Sequence, residues 1–216
     1  MARRIRPHEH IDELRYEPTP RWVRAERGGE VVVDSRRAVL VWPPGRPVPS
    51  YAFPAEDVRH PGAAALDDPD LAGMVTVPWG AVDRWLEEDE EVFVHPRDPY
   101  ARVDVLPSSR HVQVRVDGEL VADSRRGAAL FETGLRTRWY LPREDVRDEA
   151  LRPSATHTQC PYKGTASYWT VVTAAGEHPD LAWCYPDPLP AVQAIRGRVC
   201  FYDERVELLV DGEPAG

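Results

Sequence analysis

The sequence contains few cysteines, and none of them belongs to a Cys-x-x-Cys pair. The three are Cys160, Cys184 and Cys200, and an odd number of distant cysteines argues against a disulfide framework. Structural zinc sites use closely spaced pairs of ligands, whereas here His157 and Cys160 form a single isolated pair. We therefore predict no metal site, no cofactor and a reducing, cytoplasmic environment.

The sequence also lacks a membrane segment and a basic stripe. Residues 1–6 are basic, but no apolar region follows them, so we expect no signal peptide. No apolar run approaches the length of a membrane span. The formal net charge of −9 opposes binding to a phosphate backbone or an anionic membrane. The expected partner is an unknown small molecule, with no nucleic acid and no membrane, and a homodimer is left open.

Proline is abundant instead, with 22 of the 216 residues, about twice the usual share. Each proline removes a backbone N–H and disfavours a helix interior. Hydrophobic residues form 42% of the chain, which is enough for a packed core. This composition predicts a mainly β protein of short strands. The one exception is a short helix predicted over residues 79–90, where Val82, Trp85 and Leu86 have helical spacing.

Two stretches of the sequence occur twice. Residues 28–37 read G-G-E-V-V-V-D-S-R-R and residues 117–126 read D-G-E-L-V-A-D-S-R-R, at an offset of 89. Residues 54–59 and 142–147 read P-A-E-D-V-R and P-R-E-D-V-R, at an offset of 88. Self-similarity at one spacing indicates duplicated structure, so we predict two tandem antiparallel modules. Asp117-Gly118 predicts a hairpin turn in the second module.

A third match, between residues 102–106 and 205–209, has an offset of 103. It predicts that the second module is about 15 residues longer, in a segment that includes residues 160–164. The predicted domains are an N-terminal extension (residues 1–20), a degenerate first repeat (residues 21–107) and a second repeat that carries the site (residues 108–216).

The densest motif lies in residues 157–169, H-T-Q-C-P-Y-K-G-T-A-S-Y-W. Lys163 lies in a turn that Pro161 and Gly164 define, and an ammonium beside aromatic rings binds a carboxylate or phosphate. The alternatives are a solvated lysine in a structural turn and covalent catalysis by Lys163. Cys160 is a nucleophile only if Lys163 or His157 stabilises its thiolate, and otherwise it is inert. The order Lys-Gly-Thr does not match a phosphate-binding loop.

Two further motifs have both a structural and a functional interpretation. Residues 183–188, W-C-Y-P-D-P, form either an aromatic wall for a ligand or part of the core. Arg126 belongs to an Asp-Ser-Arg-Arg motif that occurs in both modules. This favours a scaffold role in which an Asp–Arg pair holds a turn, and an anionic ligand at Arg126 is the alternative. No catalytic triad and no glycosidase carboxylate pair stands out.

Taken together, the strings D-G-E-x-V-A-D-S-R-R, P-R-E-D-V, C-P-Y-K-G-T-A-S-Y-W, W-x-Y-P-D-P-L-P and V-x-F-Y resemble the family called domain of unknown function 427. The resemblance covers residues 110–212. It implies a β-tent-like fold, similar to the cereblon ligand-binding domain and methionine sulfoxide reductase B, with a concave aromatic face. By resemblance, that face would contain Tyr162, Lys163, Trp169, Trp183 and Tyr185. The family is sometimes labelled nucleotidyltransferase-like, but the sequence has no carboxylate-pair metal motif.

Our leading hypothesis is a small-molecule-binding protein with an aromatic pocket in the second repeat. Lys163 would donate a charge-assisted hydrogen bond to the ligand, and Arg126 would be a second donor. The alternatives are an enzyme that uses Cys160 or Lys163, and an interaction scaffold that uses the acidic residues 87–91. Those acidic residues are otherwise expected to be a solvated surface.

Overall fold

A computed structural model describes residues 13–215, so residues 1–12, which make up most of the predicted N-terminal extension, lie outside the described residues. The described chain consists of short antiparallel strands and 3-10 turns, and its longest helix is the six residues Pro190–Ile195. The predicted mainly β class is therefore confirmed. No helix within residues 13–215 has both the length and the hydropathy needed to cross a bilayer. The chain divides into two compact units between Pro99 and Tyr100.

The first unit, residues 13–99, forms two sheets. The sheet order is β1-β4-β5-β7-β6 in one and β3-β2-β8-β9 in the other. Its core contains Val23, Val33, Leu40, Phe53 and Trp85. The strands are β1 (Arg15–Pro18), β2 (Val23–Arg27), β3 (Glu30–Ser35), β4 (Val39–Trp42), β5 (Ser50–Pro54), β6 (Ala64–Ala65), β7 (Met74–Thr76), β8 (Arg84–Glu87) and β9 (Glu90–Val92).

The second unit, residues 100–215, forms three sheets. Their orders are β10-β13-β14, β12-β11-β19-β20 and β15-β16-β17-β18. The strands are β10 (Val103–Ser108), β11 (Val112–Val116), β12 (Glu119–Ser124), β13 (Gly127–Glu132), β14 (Arg138–Tyr140), β15 (Leu151–Cys160), β16 (Gly164–Val172), β17 (Glu177–Cys184), β18 (Cys200–Phe201), β19 (Glu207–Val210) and β20 (Glu213–Pro214). We call the sheet β15–β18 the extra sheet.

The hairpin predicted at Asp117-Gly118 is present between β11 and β12. Both turn residues have positive φ, 52° and 81°, as a type I′ turn requires. Val112, Val114 and Val116 are buried while the residues between them are partly exposed, which is the alternation expected of a half-buried strand. The first unit has the same hairpin at Gly28-Gly29, with φ values of 59° and 80°.

Strand pairing in the two units follows one register. Val23 pairs with Ser35 and Glu87, and Val112, 89 positions later, pairs with Ser124 and Val210. The pairing β1–β4 aligns Pro18 with Val39. The pairing β10–β13 aligns Pro107 with Ala128 in the same way. Strands β1, β4, β5, β8 and β9 therefore correspond to β10, β13, β14, β19 and β20.

The predicted helix over residues 79–90 is wrong. Residues Trp79–Ala81 form a 3-10 turn, and the following residues form the β8–β9 hairpin, whose turn contains Glu88 at a φ of 49°. Trp85 and Leu86 are adjacent and both buried, because β8 is covered on both faces. Together with Val82, these two adjacent strand residues occupy positions i, i+3 and i+4, which is also the spacing of one face of a helix. Glu87 is buried as well, so the acidic run is only partly a solvated surface.

The third sequence match, between residues 102–106 and 205–209, is also wrong as a structural equivalence. Strand β10 pairs with β13, whereas β19 pairs with β11. With the correct equivalence, the stretch from Val146 to Glu207 is 35 residues longer than the stretch from Val58 to Arg84. The added length, which includes β15 and β16, is more than twice the predicted 15 residues.

Candidate functional site

The dense motif of residues 157–169 lies in β15 and β16 of the extra sheet, which have no counterpart in the first unit. The other two strands of that sheet, β17 and β18, correspond to the short pair β6–β7, because Val199 bridges Leu141 as Val75 pairs with Phe53. Cys160 pairs with Gly164 across the turn between β15 and β16. Gly164 has a φ of +97°, and a Cβ there would lie 3.4 Å from the carbonyl oxygen of Asp187. The amide of Leu189 donates to the Lys163 carbonyl at 3.1 Å. The backbone on both sides of Lys163 is thus fixed against the chain that follows β17.

Lys163 is buried, with 8% of its surface exposed, so the alternative of a solvated lysine is wrong. Its Nζ lies 2.5 Å from Oε2 of Glu132, the last residue of β13. Two charges removed from water are stable together only when they are paired and hydrogen-bonded. This ion pair joins the extra sheet to a strand of the shared scaffold.

Lys163 is also the only lysine of the chain, alongside 26 arginines. Arginine and lysine differ physically, because the ammonium is a compact charge and the guanidinium is a planar fork. The sequence thus uses arginine for every other basic side chain and lysine at this buried position. A count of residue types would have singled out Lys163 more strongly than the motif itself.

Glu132 interacts electrostatically with two buried phenols, Tyr140 and Tyr185, which belong to one core cluster. Tyr140, Trp183 and Tyr185 are all buried in it, and the indole Nε1 of Trp183 donates to the Tyr140 hydroxyl at 3.1 Å. Burial raises the pKa values of Tyr140 and Tyr185 well above the usual range, and Glu132 contributes to both shifts. Both phenols therefore stay protonated well above the pH at which a free tyrosine ionises, about 10.

The cluster reaches the surface through a chain of hydroxyl groups. The Tyr168 hydroxyl lies 3.0 Å from Thr158 Oγ1 and 3.3 Å from the Tyr202 hydroxyl. The Tyr202 ring packs against Trp183 with centroids 4.5 Å apart. Burial and the hydrogen bond with Tyr168 raise the pKa of Tyr202 to about 12. Tyr168 and Tyr202 therefore form a half-buried side of the cluster.

The three cysteines differ in exposure. Cys160 is partly exposed, while Cys184 and Cys200 are buried. Burial raises the pKa values of the Cys184 and Cys200 thiols, which makes both of them poor nucleophiles. His157, which was considered as a partner for Cys160, hydrogen-bonds through Nδ1 with Ser167 Oγ at 3.2 Å. Within the described residues, no group of three or more His, Cys, Asp or Glu side chains is arranged to hold a metal.

Trp169 lies away from the Lys163 cluster. In the β16–β17 pair, Tyr168 is opposite Trp183 and Trp169 is opposite Ala182. Successive side chains of a strand point to opposite faces. Accordingly, Tyr168 packs on the cluster of Trp183, whereas Trp169 packs on the other core cluster of the unit.

Arg126 belongs to a scaffold network rather than to the Lys163 cluster. Its guanidinium pairs with Asp145 and with Glu144, and its backbone amide donates to Ser124 Oγ at 3.0 Å. The first unit contains the same arrangement around Arg37, with Ser35, Glu56 and Asp57. An arrangement common to both units serves the fold that they share.

The structure therefore brings together three of the predicted residues, Lys163, Trp183 and Tyr185. Tyr162 is half-buried in the turn beside Lys163. Sequence reasoning missed four members of the cluster: Glu132, Tyr140, Tyr168 and Tyr202. Glu132 had one available signal, because it is the only charged residue of the otherwise apolar or small strand Gly127–Glu132.

Comparison with known proteins agrees with this division of the chain. Residues 104–212 match the family model described as Domain of unknown function (DUF427), with the short label NTP_transf_9. A search of curated proteins found no match. The matched residues run from β10 to just beyond β19 and include both Glu132 and Lys163. They make up half of the sequence, so the chain belongs to the DUF427 family.

Proposed function

We propose that the second unit is a small-molecule-binding module whose ligand contacts the Lys163–Glu132 ion pair. One observation carries this proposal: the only lysine of the chain is buried against a carboxylate, Glu132, which interacts electrostatically with the buried phenols of Tyr140 and Tyr185. A buried ion pair contributes little net stability compared with apolar packing. A fold that retains such a pair close to buried phenols is typical of a binding site, where a few polar groups orient a ligand among apolar walls.

The polar groups define the ligand's chemistry. An ammonium has three donor hydrogens, and a carboxylate accepts several hydrogen bonds, so the Lys163–Glu132 pair presents a donor next to an acceptor. The ring of Tyr202 and the half-buried Tyr168 supply an aromatic edge. The complementary ligand is a small planar molecule in which a hydrogen-bond acceptor and a donor are adjacent, as in an amide or lactam.

We further propose that the first unit is a copy of the same scaffold without the site. By strand register, Glu132 corresponds to Pro43 and Tyr140 to Ala52. The groups that hold Lys163 and Trp183 in the second unit are thus replaced by small or non-hydrogen-bonding residues in the first. A supporting role for the first unit fits this loss.

The single lysine allows a direct test. Biosynthetic incorporation of ¹³Cε-lysine labels Lys163 alone, because it is the only lysine, and so gives one side-chain NMR signal. We expect 2-pyridone and benzamide to shift this signal in the whole protein. Glu132→Gln should abolish the shift, while Glu56→Gln, in the scaffold network of the first unit, should leave it unchanged. A Lys163 signal that neither compound moves, together with native mass spectra free of a co-purified small molecule, would contradict the proposal.

A second candidate is thiol chemistry at Cys160, favoured by one observation. Among the three cysteines, Cys160 alone is not buried, and it lies at the turn that contains Lys163. Alkylation with iodoacetamide across a pH series tests it, with Cys160→Ser as the control. A labelling midpoint well below the free-thiol value of about 8.5 supports a reactive thiolate. A midpoint at that value removes this candidate.

A further inference from the structure

An open groove lies on the second unit, away from the Lys163 cluster. It encloses about 620 Å³, within the range of about 300–1,000 Å³ that is common for binding sites. Its apolar lining includes Leu106, Phe131 and Leu135, which are 54%, 44% and 65% exposed. Arg110 and Glu213 also line it. Large apolar side chains clustered at the surface mark an interaction site more often than isolated ones do.

The strand register identifies the equivalent surface in the first unit. Arg110, Phe131 and Trp139 of the groove correspond to Arg21, Trp42 and Tyr51. Glu213 corresponds to Glu90, because each lies opposite the last residue of the preceding strand in its terminal hairpin. The two surfaces are thus built from the same strands at the same positions.

In the first unit, residues 96–98 of the chain cover this surface. The carboxylate of Asp98 accepts a hydrogen bond from Trp42 Nε1 at 3.2 Å. The Arg97 carbonyl lies 3.5 Å from Arg21 Nη1, and the Arg97 guanidinium pairs with Glu90 at 2.5 Å. Pro96 and Asp98 are both buried. The first unit therefore shows what this surface binds: a Pro-Arg-Asp segment that lies outside the strands.

The groove of the second unit has charges in the places that such a segment needs. Glu213 is equivalent to Glu90, which pairs with the guanidinium of Arg97. Arg110 is equivalent to Arg21, which lies beside the backbone of Arg97. Trp42 is replaced by Phe131, which has no N–H, so the aspartate of a bound segment needs a different partner. Arg110, which pairs through Nε with Asp211, retains further N–H donors for it.

We propose that the groove of the second unit binds a peptide segment with the sequence chemistry Pro-Arg-Asp. The arginine of the peptide pairs with Glu213, its aspartate with Arg110, and its proline packs among Phe131, Leu135 and Trp139. In this mode of recognition, the peptide lies along an aromatic-lined groove and makes both polar and apolar contacts. This site shares no residue with the Lys163 cluster, so its test is independent of the test of the proposed small-molecule site.

The test uses a fluorescent synthetic peptide with the sequence of residues 92–100, V-F-V-H-P-R-D-P-Y, titrated with the full chain. We expect saturable binding by fluorescence anisotropy. Phe131→Glu should weaken it at least about tenfold, because it puts a charge in the apolar wall. Val31→Glu is the matched control, since Val31 of the first unit is as exposed as Phe131, at 43%, and should leave affinity unchanged.

A charge exchange tests the orientation of the peptide. Glu213→Arg should weaken binding about threefold to tenfold, and a peptide with glutamate in place of its arginine should restore it, as expected of a coupled pair. No binding of the peptide, or an equal loss in Val31→Glu, would overturn the proposal. So would binding of anilinonaphthalene sulfonate in the groove without binding of the peptide, because it would assign the groove to small molecules instead.

Discussion

The two units place different residues at the same positions of the same strands. At the end of β13 the second unit has Glu132, which holds Lys163, while the first unit has Pro43 at the equivalent position. By contrast, the serine, arginine and aspartate network is present in both, as Ser35–Asp57 and Ser124–Asp145. The comparison separates the side chains that both units share from those that only the second unit has.

The largest loss of unfolding free energy is expected when the Lys163–Glu132 ion pair is broken. Lys163→Met leaves the Glu132 carboxylate buried without its partner, which costs about 3–5 kcal/mol of unfolding free energy. Combining it with Glu132→Leu should recover most of that loss, because apolar packing replaces both charges. Hydrogen exchange of the β13 and β16 amides in urea measures the unfolding free energy of the second unit separately from that of the first. Equal loss of protection in the first unit would show that the two units unfold together.

A smaller loss is expected at the turn that holds Lys163. Gly164→Ala places a Cβ at a φ of +97° and 3.4 Å from the Asp187 carbonyl oxygen, a strain of about 1–3 kcal/mol. Gly80→Ala in the first unit is the control, since Gly80 has open space around it and no positive φ. Urea unfolding should show a clear loss for the first variant and almost none for the second. A similar cost for both would remove the special role of the turn.

The serine–aspartate hydrogen bond of the shared network should contribute nearly the same unfolding free energy in both units. Ser35 Oγ donates to Asp57 at 2.8 Å and Ser124 Oγ donates to Asp145 at 2.7 Å. Loss of one such hydrogen bond costs about 1 kcal/mol. Ser35→Ala and Ser124→Ala should therefore destabilise their own units equally, as measured by hydrogen exchange of the strands on either side. A marked inequality would argue against a common scaffold function.

The smallest effect at neutral pH comes from the tyrosines, and it appears only in alkali. Burial raises the pKa values of Tyr140 and Tyr185, and that of Tyr202 to about 12. A phenol whose pKa is higher in the folded state stabilises the fold fully below its unfolded value of about 10. That contribution is lost as pH rises through the folded pKa. Unfolding free energies should fall above about pH 10, and Tyr202→Phe should make the fall shallower.

Several elements of the second unit were predictable from local residues. Asp117-Gly118 predicted the β11–β12 hairpin because only a turn with positive φ accommodates that pair between two strands. Lys163 was selected from its motif, and its position in a turn was correct. Its partner was not found, since Glu132 lies 31 residues earlier and nothing local indicates which strand end meets which turn. The helix predicted over residues 79–90 failed because the burial of both faces of β8 is a tertiary property.

The sequence by itself determined the strand-rich class, the hairpin turns and the repeated scaffold motifs, because these depend on backbone preferences and on neighbours a few residues away. Only the tertiary structure decided that Lys163 meets Glu132 and that Trp169 faces away from Trp183. It also decided that residues 96–98 cover one unit while the equivalent groove of the other stays open. Such contacts join strands that are distant in the chain, and their partners are fixed by the sheet order that minimises exposed apolar surface and unpaired backbone groups.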